Sequence, residues 1–379
     1  MRMLGRSERP GPRDDAGMKC LRPIAVLLGC TMLAGGATAQ LSITPPAQAP
    51  AAKKEAPKEK PKVSSPVAKK GPPKPAATPT PTPTPAQAPL PSLKQAFDDP
   101  NVDLVYGAYQ RGLYKTAFDL ATAHVEYNND PKSMTMLGEL YANGLGVKRN
   151  YAKADEWYQK ASDAGDREAM FALAMMKIAG RGGAVDKEGA VKLLASSTKL
   201  GEPKAAYNLA LLYLDGQTLP QDVKRSAELL RMAADAGNPE AQYALATFYK
   251  EGTGVPKDLE KSVRLLQAAS LADNVDAEVE YAIALFNGTG TPRNLPAAVA
   301  LLRKAARQNS PIAQNRLAFV LATGQGAPMD KVEALKWHTV AKTAGKGDPA
   351  IDEMLEDMSP EDRAKGEAAA RKWIGNNVK

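Results

Sequence analysis

Side chains suited to thiol or metal chemistry are almost missing from this 379-residue chain. Its two cysteines, Cys20 and Cys30, both precede residue 40, and its two histidines, His124 and His338, are far apart in sequence. Once a leader ending near residue 39 is removed, thiol catalysis, disulfides and cysteine-based zinc sites are excluded together. An isolated histidine cannot make a usual metal site, so both imidazoles are expected to be packing residues. Neither G-x-x-x-x-G-K-[ST] nor H-E-x-x-H occurs. No catalytic, cofactor-binding or metal-ligating residue is therefore expected.

Excess charge is also lacking where a folded domain would carry it. The formal charge of +8 and the pI near 9.2 arise in the first quarter. Residues 93–379 hold 36 basic and 37 acidic side chains. Phosphate binding needs Lys and Arg concentrated on a folded face, so no nucleic-acid partner is expected.

The N-terminal region reads as an export signal. Lys19 and Arg22 precede an apolar stretch from Ile24 to Leu33, and Ala37-Thr38-Ala39 supplies a small-x-small cleavage pattern. Residues 1–39 are thus expected to be a leader cut after Ala39, with Met18 the expected true start, which implies a periplasmic or secreted protein. Two alternatives stay open. Leu27-Leu28-Gly29-Cys30 resembles a lipoprotein cleavage box, and an uncleaved inner-membrane anchor is the other. The 16 residues from Ile24 to Ala39 are short against the roughly 20 a span needs, so no membrane span is expected after leader removal. Residues 40–92 are rich in Pro, Ala, Lys and Thr and include the run TPTPTPTP. Such proline density favours extended polyproline II over a packed core, predicting a disordered linker. Its lysines suit contact with an anionic cell wall or peptidoglycan; a merely solvated spacer is the other reading.

What fills the rest is a repeat. Six ungapped copies of 36 residues begin at Ser133, Ala169, Ala205, Ala241, Ala277 and Ala313. The twelfth position is always glycine: Gly144, Gly180, Gly216, Gly252, Gly288 and Gly324. The eighteenth is Asn150, Asp186, Asp222, Asp258, Asn294 or Asp330, and the twenty-fifth is Leu or Trp. Small or apolar residues at positions 1, 5, 8, 9 and 12 mark one face of a first helix. The glycine ends that helix because it takes the left-handed conformation at little cost. Asp or Asn at position 18 caps a second helix, whose stripe lies at 22, 25, 26 and 29. Gly165, Gly201, Gly237 and Gly345 close the second helices, with Asp273 and Asn309 standing in twice. No single helix pair can bury these stripes alone, whereas stacked pairs can. The expected fold is an all-α, right-handed α/α solenoid of antiparallel helix pairs. Its repeats are 133–168, 169–204, 205–240, 241–276, 277–312 and 313–349. A capping pair over 93–132 precedes them and capping helices over 350–379 follow, the last opened by Ser359-Pro360 and running to about Trp373.

The column pattern resembles the Sel1-like repeat, a relative of the tetratricopeptide repeat. Tyr141 to Gly165 and Tyr249 to Asp273 carry the resemblance best, while the copy at 205–240 departs from it with Thr218 in place of a second loop glycine. The resemblance implies scaffolding of protein–protein interactions, often in bacterial envelopes or host contact. Some relatives are described with weak β-lactam-hydrolysing or penicillin-binding activity.

Positions 4, 7 and 11 of each first helix face away from its apolar stripe and vary between copies. They offer a candidate groove for a protein or peptide on the expected concave side. In the first copy these are Met136, Glu139 and Asn143; in the third, Asn208, Leu211 and Asp215. Thr247 and Glu251 follow in the fourth, Glu280 and Asn287 in the fifth, and Arg316, Phe319 and Thr323 in the sixth. An ordinary solvated face is the alternative. Ser196-Ser197-Thr198-Lys199 matches the nucleophile motif S-x-x-K, but S-D-N and K-T-G partners are missing. The leading functional expectation is a periplasmic adaptor. An envelope hydrolase or β-lactam-binding protein, and a cell-wall-associated structural protein held by the linker, are the alternatives.

Overall fold

A computed structural model describes residues 103–377, so the expected leader, linker and first residues of the N-terminal pair lie outside the described residues. The six repeats place their first helices at α3 (Pro131–Asn143), α5 (Arg167–Ala179), α7 (Pro203–Asp215), α9 (Pro239–Glu251), α11 (Val275–Asn287) and α13 (Pro311–Thr323). Their second helices are α4 (Tyr151–Asp163), α6 (Lys187–Lys199), α8 (Val223–Asp235), α10 (Leu259–Leu271), α12 (Leu295–Arg307) and α14 (Lys331–Thr343). Preceding them are α1 (Leu104–Gln110) and α2 (Tyr114–Asn128); following them are α15 (Pro349–Met354) and α16 (Pro360–Asn377). Each helix packs on its neighbours in the chain, giving the expected all-helical solenoid. The last helix runs four residues beyond the expected Trp373.

Local chemistry punctuates every unit alike. The side chain at position 18, from Asn150 to Asp330, accepts the N–H three residues on. This satisfies one of the donors a helix start leaves open. Its own N–H donates to the carbonyl at position 9 in every copy, over 2.8–3.0 Å, and so closes the inter-helix loop. The glycines at position 12 all have φ between 63° and 80°. Asp273 and Asn309 adopt φ of 60° and 63°, the left-handed role expected of them.

The second loop glycine has a different reason. A Cβ on Gly254 would lie 2.7 Å from the Val223 carbonyl oxygen, because the loop rests on the first turn of the preceding repeat's second helix. Thr218 is outside the set of residues with positive φ. The loop after Gly216 therefore follows another path, a local irregularity between the second and third repeats.

The core forms a chain of clusters rather than a centre. Leu229, Leu230, Ala233 and Ser226, the stripe expected of α8, are all buried. At the C-terminal end Trp337 of α14 meets Trp373 of α16 edge-on at 4.9 Å, with the Lys336 ammonium 4.1 Å and 5.1 Å from the two rings. Ser359 Oγ accepts the Asp362 N–H at 3.1 Å, capping α16 as expected. Among the described residues no helix is long and apolar enough to cross a membrane.

Candidate functional site: the first-helix face

The first helices recur once per repeat, and side chains link some of them directly to the next. Lys250 of α9 pairs with Glu280 of α11 at 2.8 Å, joining position 10 of one copy to position 4 of the next. The Thr135 hydroxyl of α3 reaches Asp166, the cap of α5, at 2.9 Å.

The expected groove residues fall into three groups. Met136, Leu211 and Phe319 are half-buried apolar side chains on this face. Several polar candidates are engaged by their own helices. Asn208 Nδ2 donates to the Lys204 carbonyl (2.8 Å), Thr247 Oγ1 to Tyr243 (3.2 Å) and Thr323 Oγ1 to Phe319 (2.9 Å). Asp215, Glu251, Asn287 and Arg316 are exposed, with Asp215 accepting the Gln217 N–H at 2.9 Å.

Glu139 differs from expectation. It is 4% exposed, not a surface group. Its carboxylate accepts from Tyr158 Oη (3.0 Å) and Asn143 Nδ2 (2.7 Å). Burial pushes its pKa up to about 7, against the lowering pull of the Tyr158 hydrogen bond and the Lys204 charge. The same cluster lifts two phenols, both chiefly through burial and then the Glu139 charge: Tyr158 well above its ordinary value and Tyr109 to about 12. The cause lies in the first repeat's sequence. Gly138 occupies a column that is alanine in the other five copies, and Tyr158 one that is leucine or histidine. A Cβ at 138 would sit 2.6 Å from Tyr158 Cδ1, so the glycine makes room for the ring that reaches Glu139.

The face is also broader than positions 4, 7 and 11 implied. Met175 and Ile283 continue the position-7 row, half-buried beside the core. Tyr207 and Tyr243 at position 3, and Leu214 and Phe286 at position 10, share the same stripe at helical spacings of 3 and 4. Position 7 was legible in the repeat register; the two flanking rows were hidden because each mixes side chains that are buried in some copies with side chains half-exposed in others.

Elsewhere the reactive-looking residues have packing roles. His338 is buried on α14 with Nε2 2.9 Å from Asp352 Oδ1. His124 Nδ1 lies 2.9 Å from Ser133 Oγ. Ser196 and Lys199 are exposed in the last turn of α6, while Ser197 between them donates to the Arg167 carbonyl. No group of three metal-ligating side chains is found among the described residues.

Stacked, regularly capped helix pairs of constant length define a helical-repeat scaffold. The Sel1 repeat family model matches residues 131–166, 167–202, 203–238, 239–274, 275–310 and 311–346, more than half of the chain, and the protein belongs to that family. A Sel1 repeat protein from Oxalobacter formigenes is similar over 63% of this chain and 98% of its own, at 26% identity and a TM-score of 0.57. A protective antigen of uropathogenic Escherichia coli strains, displaying an SLR fold, is 24% identical over 69% of this chain and 64% of its own (TM-score 0.48). No curated protein sequence matches the chain. Proteins of this fold are generally interaction scaffolds and typically non-catalytic.

Proposed function

We propose that the protein is an adaptor of the bacterial cell envelope, exported by its leader, that holds an extended segment of a partner protein along its first-helix face. The observation that carries this reading is the position-7 row. Met175, Leu211, Ile283 and Phe319 are half-buried apolar side chains recurring at the same position, one or two repeats apart. Regularly spaced partial exposure of this kind suits a ligand that lies across several repeats and inserts a side chain at intervals. Export is supported by the basic, apolar and small-residue sequence of 18–39, and a wall-spanning tether by the Lys/Pro content of 40–92.

A photo-crosslinking residue placed at Leu211 or at Phe319 in intact cells tests it, with exposed Arg264 on α10 as the control site. The expected result is a discrete adduct, identified by mass spectrometry, from the first-helix positions and none from position 264. Equal labelling from all three sites would remove the face from consideration. Membrane-free extraction of the mature chain in the periplasmic fraction is the outcome expected for its location.

A further inference from the structure

The near balance of charge over the folded part conceals one local excess, in the loop that joins α3 to α4. There Tyr141, Val147, Lys148, Arg149, Asn150 and Lys153 enclose an open cavity of about 460 Å³. Three of these side chains are cationic and none is acidic. Among the described residues the three cations form no ion pair. Arg149 Nη2 reaches the Asn143 carbonyl at 3.4 Å, and the Lys153 ammonium lies 5.2 Å from the centre of the Tyr141 ring.

The repeat register explains why the excess is confined to this copy. Lys148 fills a column that is proline in the last four copies, and no other copy is basic at positions 16, 17 and 21 together. Asn150 caps α4 through the Lys153 N–H (3.1 Å) without bringing a charge. The fourth copy shows the contrast: its cap is Asp258, which pairs at 3.1 Å with Lys261, the counterpart of Lys153. The cavity wall is also held in place by the fold itself. The Asn150 N–H donates to the Tyr141 carbonyl at 2.9 Å. The loop is pressed so closely on α2 that a Cβ on Gly146 would lie 2.6 Å from the Tyr114 carbonyl carbon.

We propose that this cavity binds a phosphate monoester, borne either on a soluble sugar-sized body or on a lipid headgroup. Three uncompensated cations stand at the start of a thirteen-residue helix, whose end adds partial positive charge. Together they exceed what one carboxylate neutralises. A phosphate monoester carries about two negative charges and three acceptor oxygens, enough to engage a guanidinium and two ammonium groups at once. The volume is that of a small-molecule site rather than of a bare ion, and the Tyr141 ring and Val147 give it an apolar wall. The site is separate from the proposed partner face, and neither reading needs the other.

Calorimetric titration of the full chain with glucose 6-phosphate tests it. Glucose and succinate are the controls, and phosphatidic acid in phosphatidylcholine vesicles is the lipid-borne form of the same group. The sugar phosphate is expected to bind at the cavity more tightly than succinate and to weaken as salt is raised, while glucose does not bind. Asn150→Asp restores the cap charge that four other copies carry. It should weaken binding about threefold or more and leave the melting temperature unchanged. Lys148→Pro, the residue of the last four copies, combined with Lys153→Gln should weaken it about tenfold. Uptake by the linker lysines is common to parent and variants, so the difference belongs to the cavity. Binding of the vesicles alone, lost in the same variants, supports the phosphate site and assigns its source to lipid. Equal binding of succinate, affinities unchanged in both variants, or no binding of either phosphate overturns it.

Discussion

Glu139 stands at the junction of packing and charge, and its consequence is a pH-dependent stability. Its pKa is raised by burial from the ordinary carboxylate range to about 7. A raised folded-state pKa means stability is complete below the unfolded value and is lost as pH rises through the folded one. Between about pH 4.5 and pH 7 the chain should therefore lose up to about 3 kcal/mol on this account. Replacing Glu139 with Gln should flatten that slope, so urea melts of the two proteins should diverge as pH rises and run parallel above about pH 8. Gly138 and Tyr158 form a linked pair at the same spot. Gly138→Ala alone should cost about 1–3 kcal/mol through overpacking. Adding Tyr158→Leu should recover part of that loss, a coupling a double-mutant cycle measures directly. The sequence marked Glu139 and Asn143 as groove positions, but not the buried cluster they form with Tyr158. Glu139 shares a variable column with Leu211 and Phe319, and only the joint departure at Gly138 and Tyr158 marks its burial.

The helices of the six repeats are thirteen-residue elements that would be marginal alone, so burial against neighbours decides their stability. Leu229 on α8 is 2% exposed in the largest cluster. Leu229→Ala should cost about 2–5 kcal/mol in a denaturant melt, and a loss within noise would mean the stripe packs elsewhere. Most of the element boundaries followed from punctuation alone. Gly at position 12 and Asp or Asn at position 18 are single-residue devices whose chemistry does not depend on distant contacts. The caps of the first helices were harder to see: Asp130, Asp166, Glu202, Asn238, Asn274 and Ser310 differ in type while performing one task. Glu202 is the longest of these, and it bonds the N–H two residues on at 3.3 Å where the others reach three residues on. Burial raises its pKa.

At the scale of the whole molecule, the same links recur down the stack. Lys250 meets Glu280, Arg303 meets Glu333, and Thr135 meets Asp166, pairs about thirty residues apart in sequence. The architecture was readable from the period because a gapless repeat of 36 leaves few ways to bury every stripe. The chemistry of the proposed partner face was not, since that face is built from columns that differ between copies and whose accessibility depends on the neighbouring turn. Glu139 illustrates this: the helical register points it outward, and Tyr158 from the next helix closes over it. At the far end, where α16 packs on α14, the Lys336 ammonium lies over the rings of both Trp337 and Trp373.

The nearest-neighbour wiring also gives the protein a mechanical character. Among the described residues no link staples distant repeats together, so under tension applied between its ends the stack should yield unit by unit. Each yielding step would release 36 residues, about 120 Å of extended chain. If it is fixed at one end and holds a partner along its side, as proposed, such a body would act as an extensible leash that lengthens under load before it lets go.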